Sequence, residues 1–391
     1  MYHNRRQRNV KLQRGQQFEA RVRDLASDGR GIVAHPEGRV FFVPGVWIDE
    51  QACFEITELK GRTGTARLVE LVQATPERVA VDCVYHGFDK QHCGGCGWMF
   101  MGYEQQLTAK QNRVQQAVSK LFGGFEVAEI LRSPRELGYR NRAQLKTDGH
   151  QLGYMAPGSH SLIDVQTCAV LNAHNQHTLS TLRSHLPSAN WKTKSKQWIS
   201  LHIDDDIQAS DVQLNARRPF RQGNSEQNDV MRDWVRNKLS PTSPKSKILE
   251  LFAGSGNFTE VLHAAGWSSV FAIDSFLPAV NTLRERSLSG VESICLNLDA
   301  PNITDQFGKE IASVEALLLD PPRQGMKYLY QILKFASRLK SVAYVSCDIA
   351  TFARDCAALK DAGFAPVEVQ PLDLFPQTPH VEVMSLFRKV D

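Results

Sequence analysis

From Gly15 to about Thr75, apolar and polar residues alternate in short runs broken by turn signals, a period of two that predicts strands. "QFEARVRDLASDGRGIVAHPEGRVFFVPGVW" carries "DGRG" and "PEGR" as turns, and "ACFEITELKGRTGTARLVELV" keeps the same rhythm. A small all-β barrel over 15–75 is expected, OB-like, which either offers a face to single-stranded nucleic acid or serves only for packing. The period then changes. In "YEQQLTAKQNRVQQAVSKLF", Leu107, Val114, Val118 and Leu121 recur at helical spacing. "GYRNRAQLKTDGHQLGYM" reads as a hairpin with Arg140, Arg142 and Lys146 on or beside its first strand. Residues 76–240 thus form a mixed central domain, ended by the linker "PTSPKSK". From residue 241 to 391 strands alternate with helices: "KILELFAG", "GNFTEVLHAAG", "SVFAID", "EALLLD", "SVAYVS" and a closing "VEVMSLFRKV". That alternation predicts an α/β domain with a parallel-type sheet and helices on both faces.

Composition narrows the setting. With 391 residues, 42% hydrophobic and 23% charged, the chain has room for two or three soluble domains. No stretch approaches the ~20 apolar residues of a bilayer span, and "MYHNRRQRNVKLQRG" lacks the apolar segment of a secretory signal. A cytoplasmic protein with no membrane partner is expected. Net charge is only +4, but Arg5, Arg6, Arg8, Lys11 and Arg14 cluster in residues 1–14. That run is either a solvated tail or an arm that tracks a phosphate backbone. Eight cysteines in a large chain without an export signal do not imply disulfides, and the tight "CGGC" points to a metal site or a redox pair.

The chemistry gathers in the last domain. "LELFAGSGNFTEV" sets Gly254 and Gly256 at the turn from first strand to first helix, with Asp274 at the end of the next strand, placed to grip ribose hydroxyls. NAD and S-adenosylmethionine both fit. Thr259 stands where the dinucleotide fingerprint has its third glycine, which favours the methyl donor. In "LLLDPPRQG", Asp320 ends a buried strand and two prolines stiffen the loop. Arg323 follows, in place of the aromatic residue expected for methylation of an exocyclic amine. "YVSCDIATFARD" then places Cys347 at a strand end, as a nucleophile or merely as a small apolar residue. A thiolate adding to carbon 6 of a pyrimidine makes carbon 5 nucleophilic, and a base must later remove the carbon 5 proton. "DLFPQTPHVEVMSLF" offers Glu382 for that step, with His380 nearby.

"LDPPRQG", "YVSCDIATFARD" and "LDLFPQTPHVEV" together resemble the RNA 5-methyluridine methyltransferase family, over nearly the whole chain. The resemblance implies a Rossmann-like methyltransferase domain, with the barrel similar to a TRAM domain. It implies Cys347 as nucleophile and Glu382 as base, and Gln222, Phe252, Asn257, Asp274, Asn297 and Asp320 around S-adenosylmethionine. Cys83, Cys93 and Cys96 lie in one loop, and Cys168 offers a fourth thiolate, a set that suits zinc or iron–sulfur. "CGGCGWMFMGYEQQLTAKQNRV" resembles the iron–sulfur segment of the family's ribosomal-RNA branch, which implies a [4Fe-4S] cluster with a structural or RNA-docking role. The partner implied is ribosomal RNA, the enzyme a monomer. Alternatives are a transfer-RNA 5-methyluridine or an RNA 5-methylcytidine methyltransferase, and an RNA-binding module without turnover. Three departures stand out. Asp348 and Ile349 replace the family's Asn-Pro after the cysteine, a negative neighbour that would oppose thiolate formation. Asp274 stands in place of the usual glutamate, and residues 172–220 match weakly. Cys53, Cys295 and Cys356 are expected to be small buried residues.

Overall fold

The computed structural model describes residues 12–192, 198–216, 218–301 and 303–390. Arg5, Arg6, Arg8 and Lys11 therefore lie outside the described residues. The described residues form two compact units, one drawn from 12–102, 156–159 and 377–379 and the other from 103–155, 160–376 and 380–390.

In the first unit, β1 (Gln17–Leu25), β2 (Gly31–Ala34), β3 (Val40–Val43), β4 (Gln51–Lys60) and β5 (Thr63–Gln73) close a barrel in the order β1-β2-β3-β5-β4. Alternate residues face inward, so Val22, Val33, Phe41, Ala52, Phe54 and Ile56 fill the interior. Glu50 is buried and accepts from Arg78 Nε and Nη2, each at 2.8 Å, which fastens the following segment to the barrel.

The second unit begins with α1 (Tyr103–Leu121), whose Leu107, Val114 and Val118 are buried at the expected helical spacing. β6 (Arg142–Thr147) and β7 (Leu152–Met155) pair antiparallel as the expected hairpin, within a sheet of order β8-β7-β6-β9 that adds β8 (Leu162–Asp164) and β9 (Ile199–Asp204). α2 (Ala173–Ser184) and α3 (Ser225–Lys238) follow in the chain on either side of β9.

A seven-stranded sheet makes the rest. Its strands are β10 (Lys247–Leu251), β11 (Ser269–Asp274), β12 (Val291–Cys295), β13 (Ala316–Leu319), β14 (Ser341–Ser346), β15 (Phe364–Leu372) and β16 (Glu382–Lys389), in the order β12-β11-β10-β13-β14-β16-β15. The first five in that order run parallel. β16 is antiparallel to both β14 and β15, so the sheet is mixed at this edge rather than parallel throughout. Between the strands lie α4 (Thr259–Ala264), α5 (Leu277–Glu285), α6 (Ile303–Ser313), α7 (Leu329–Phe335) and α8 (Ile349–Asp361). The period of two splits each strand between two cores. Leu249, Leu251, Leu317, Leu319, Val342 and Tyr344 pack with α1, α6, α7 and α8, whereas Ile248, Leu318, Ala343 and Val345 pack with α3 and α4. Among the described residues no helix is long and apolar enough to cross a membrane.

One buried ion pair joins α1 to the segment before β16. Lys110 Nζ donates to Asp373 Oδ1 at 2.5 Å and to the Phe375 carbonyl at 3.2 Å, with both charged side chains removed from solvent. Truncating one partner strands the other charge in the interior. Lys110→Met is expected to destabilise the protein by about 3–5 kcal/mol in urea unfolding.

Candidate active site

Strand register builds the site. Leu319 pairs with Tyr344, and Ser346 pairs with Val383, so Asp320, Cys347 and Glu382 all fall at one edge of the sheet. Because β14 and β16 are antiparallel, the next positions past the Ser346–Val383 pair are Cys347 and Glu382, facing each other across the two strands. That proximity bears on their ionisation. Burial pushes the Cys347 thiol up to about 12, helped by the charges of Glu382 and Asp320 and opposed by Arg323. Glu382 is pushed up to about 8 by burial and then by Asp320, again opposed by Arg323. Asp320 rises to about 7 through burial and Asp274. Arg323 Nη2 lies 3.3 Å from His380 Nε2, so the guanidinium donates and that ring nitrogen accepts. Burial, with Arg323 and three further cations, holds His380 down at about 4, so its ring is neutral at pH 7.

Beside this cluster lies a cleft of about 360 Å³, lined by Asn141, Gln222, Phe252, Gly254, Asn257 and Asp320 among others. It forms at the β10-to-α4 turn, where Phe252 adopts φ 64°, a left-handed conformation that a bulky residue seldom takes. Gly256, at φ 94°, has no room for a Cβ, which would stand 2.5 Å from Leu283 Cδ1. Asn257 and Asn228 exchange amide hydrogen bonds at 2.9 and 3.0 Å. Asp274 accepts from the Gly254 and Phe276 N–H groups, each at 2.8 Å, and so ties the turn to the end of β11.

Of the residues expected to surround a cofactor, Gln222, Phe252, Asn257 and Asp320 line the cleft together. Asp274 acts on its edge through Gly254. Asn297 is not among the lining residues; it is exposed, and its side-chain oxygen accepts from the Asp299 N–H at 3.0 Å. Thr259, which displaces the dinucleotide glycine, donates to the buried Glu250 carboxylate at 2.6 Å. Burial still pushes Glu250 up to about 8.

Asp348 has a structural task beside the thiol. Its carboxylate caps α8 by accepting from the Thr351 N–H at 2.9 Å, while the upward push on Cys347 comes from burial, Glu382 and Asp320. Arg142 is also committed internally, 3.6 Å from Asp204 and donating to the Arg221 carbonyl at 3.0 Å. Cys295 is exposed and Cys53 partly so, against the expectation of burial; Cys356 is buried as expected. For a cluster, four sulfurs must converge to roughly 2.3 Å from metal. Cys83, Cys93, Cys96 and Cys168 are each partly exposed, and among the described residues no group of three or more His, Cys, Asp or Glu is placed to hold a metal. The expected cage is not assembled.

Sequence reasoning missed Asp355. Its Oδ2 accepts from the Tyr344 hydroxyl at 2.7 Å and the Met326 N–H at 2.8 Å. With Arg354 donating to the Gln324 carbonyl and Thr351 to the Arg323 carbonyl, each at 3.0 Å, the start of α8 grips the loop that carries Asp320 and Arg323. The signal was present: an acid at position 355 among Phe352, Cys356 and Leu359 interrupts the apolar face of a helix.

A glycine turn between strand and helix, with acids at the ends of two of the parallel strands, defines a Rossmann-like enzyme domain with its cleft at the usual sheet edge. No family model matches the chain. An uncharacterized RNA methyltransferase of Nitrosomonas europaea is 39% identical over 382 residues, covering 95% of this chain and 97% of its own. The 23S rRNA (uracil(1939)-C(5))-methyltransferase RlmD of Pseudomonas putida is 29% identical over 94% of this chain and 92% of its own. The structure of Pyrococcus abyssi tRNA (uracil-54, C5)-methyltransferase in complex with S-adenosyl-L-homocysteine shares the fold, with a TM-score of 0.70 at 21% identity, over 95% of this chain and 100% of its own. The chain belongs to the RNA 5-methyluridine methyltransferase family.

Two outcomes follow from the charges. Glu382 has a folded value raised to about 8, so the stability it contributes is full below its unfolded value and is lost as pH rises through about 8. Glu382→Gln is expected to gain on the wild type from about pH 5 to about pH 9, by a few kcal/mol at the upper end, in denaturant unfolding at each pH. Asp348→Ala is expected to lose about 1 kcal/mol of stability with its cap, while the pH midpoint for alkylation of Cys347 stays where it is.

Proposed function

We propose that this protein methylates carbon 5 of a uridine in RNA, using S-adenosylmethionine, with Cys347 as the nucleophile and Glu382 as the base. The observation that carries the reading is the register setting Cys347 opposite Glu382 beside Asp320, which also lines the cleft. Cys347 loses its proton to solvent and forms a bond from sulfur to carbon 6, moving the ring electrons to the carbonyl oxygen and making carbon 5 nucleophilic. Gln222, Phe252, Asn257 and Asp320 would hold the donor in the cleft they line, with Asp274 fixing its glycine turn; bound there it would supply an electrophilic methyl group to carbon 5 and leave as the neutral thioether. After transfer Glu382 takes the carbon 5 proton, the carbon 6–sulfur bond breaks, and the thiolate is released. Glu382 performs this step only when ionised, so turnover is lost as pH falls and the carboxyl, its proton held by burial, becomes neutral.

Ribosomal RNA is the proposed substrate, supported by likeness along nearly the full chain to the Pseudomonas putida enzyme named for 23S rRNA. The closed barrel supports a substrate larger than a nucleoside. No step is assigned to Cys83, Cys93, Cys96 or Cys168.

Labelled methyl transfer into ribosomal RNA, followed by nucleoside mass spectrometry, tests the activity; 5-methyluridine is expected. A 5-fluorouridine RNA lacks the removable proton and is expected to trap a covalent adduct in the wild type, with none in Cys347→Ala. An adduct undiminished in that variant would sink the assignment of the nucleophile.

A further inference from the structure

At the end of β14 remote from Cys347 lies a groove that the proposed reaction does not use. It has a volume of about 830 Å³, and Tyr330, Lys334, Arg338, Lys340, Arg388 and Lys389 supply its ring and cations. They come from separate parts of the chain: α7 and the loop after it, the residue before β14, and the end of β16. Antiparallel pairing of Ser341 with Arg388 brings the last two together. All five cations are exposed.

The fold accounts for these charges only in part. Glu315 lies 3.7 Å from both Arg338 and Lys340, and Asp361 stands on the lining. Lys389 donates to the Ala362 carbonyl and lies 4.9 Å from the Phe364 ring centroid. Among the described residues neither Lys334 nor Arg388 has an ion-pair partner. Gathering like charges in one concavity costs Coulomb energy and concentrates a positive field there. The apolar lining residues Leu333, Leu339 and Phe364 are buried, so the groove offers a protein partner no exposed aliphatic anchor. Tyr330, by contrast, is 58% exposed and presents a free ring.

We infer that this groove binds the phosphodiester backbone of RNA, outside the reaction centre, with Tyr330 as a stacking platform for an unpaired base. The inference rests on the reading of RNA as substrate. Six residues of β14 separate the groove from Cys347, about 20 Å at ~3.3 Å per residue. A long folded RNA reaches both places, and a short hairpin seated at Cys347 does not.

The test uses the full chain. One variant carries Lys334→Gln, Arg338→Gln and Arg388→Gln; a control of equal net charge carries Lys120→Gln, Lys245→Gln and Lys309→Gln, all exposed. Binding to a long ribosomal RNA fragment is measured across salt concentrations. The groove variant is expected to bind about tenfold more weakly, with the salt slope reduced by about 2, and the control to bind like the wild type. For a short hairpin both are expected to match the wild type. Equal losses in the two triple variants, or none in the groove variant, would overturn the inference. So would displacement of the RNA by polyglutamate but not by polyphosphate, which would point to an acidic protein instead. Binding is read apart from methylation: a protein that binds through the groove yet methylates no RNA breaks only the reading of the reaction. One that methylates RNA with the groove variant binding normally breaks only the groove.

Discussion

How much negative charge the carboxyl edge of the sheet can hold governs the site. Asp320, Glu382 and the Cys347 thiol are crowded there by strand register, and burial lifts all three above their ordinary values before they act on one another. Glu250, buried behind the glycine turn, is lifted in the same way and also feels Asp320 and Asp274. Arg323 is the cation that opposes the rise at both Cys347 and Glu382. Burial thus biases both the Cys347 thiol and the Glu382 carboxyl toward their protonated forms. Any cation bound in the adjoining cleft relaxes the constraint through Asp320, which belongs to both places. The proposed nucleophile and base are in this sense coupled to occupancy of the cleft without any movement of the chain.

The parts of this arrangement legible in the sequence were those that local chemistry writes. Turn glycines, an acid at a strand end and a cysteine before a helix are short-range signals, and Gln222, Phe252, Asn257 and Asp320 did come together around one cleft. The period of two located the strands of the second unit's large sheet, yet it could not say that β16 inserts antiparallel between β14 and β15, because strand order is fixed by packing across long sequence separations. Asp348 shows the limit from the other side. At a strand-to-helix corner consecutive side chains diverge, so the residue next to Cys347 in sequence caps a helix, while Glu382, 35 positions further on in the sequence, sits opposite the thiol. Asn297 lies off the cleft lining for a related reason: beyond the end of β12 no ladder holds it, and its side chain accepts from the nearby Asp299 N–H.

α8 gives the site its rigidity. The helix begins immediately after Cys347, capped by Asp348, and its first turns hold the neighbouring loop through Thr351, Arg354 and Asp355. Gly325, at φ 67°, is required there, because a Cβ would stand 2.5 Å from Asp355 Oδ2 and would also strike Arg354. One short segment thus fixes the position of the sulfur and, through hydrogen bonds about 30 residues distant in sequence, that of Asp320 and Arg323. The two prolines restrict the same loop by fixing φ. Since the acid that lines the cleft and the cation that opposes thiol protonation ride on this loop, loosening Asp355 would move both together. The contributions of Asp320 and Arg323 to the ionisation of Cys347, and the Asp320 wall of the cleft, therefore depend on one set of contacts, those between the start of α8 and residues 320–326.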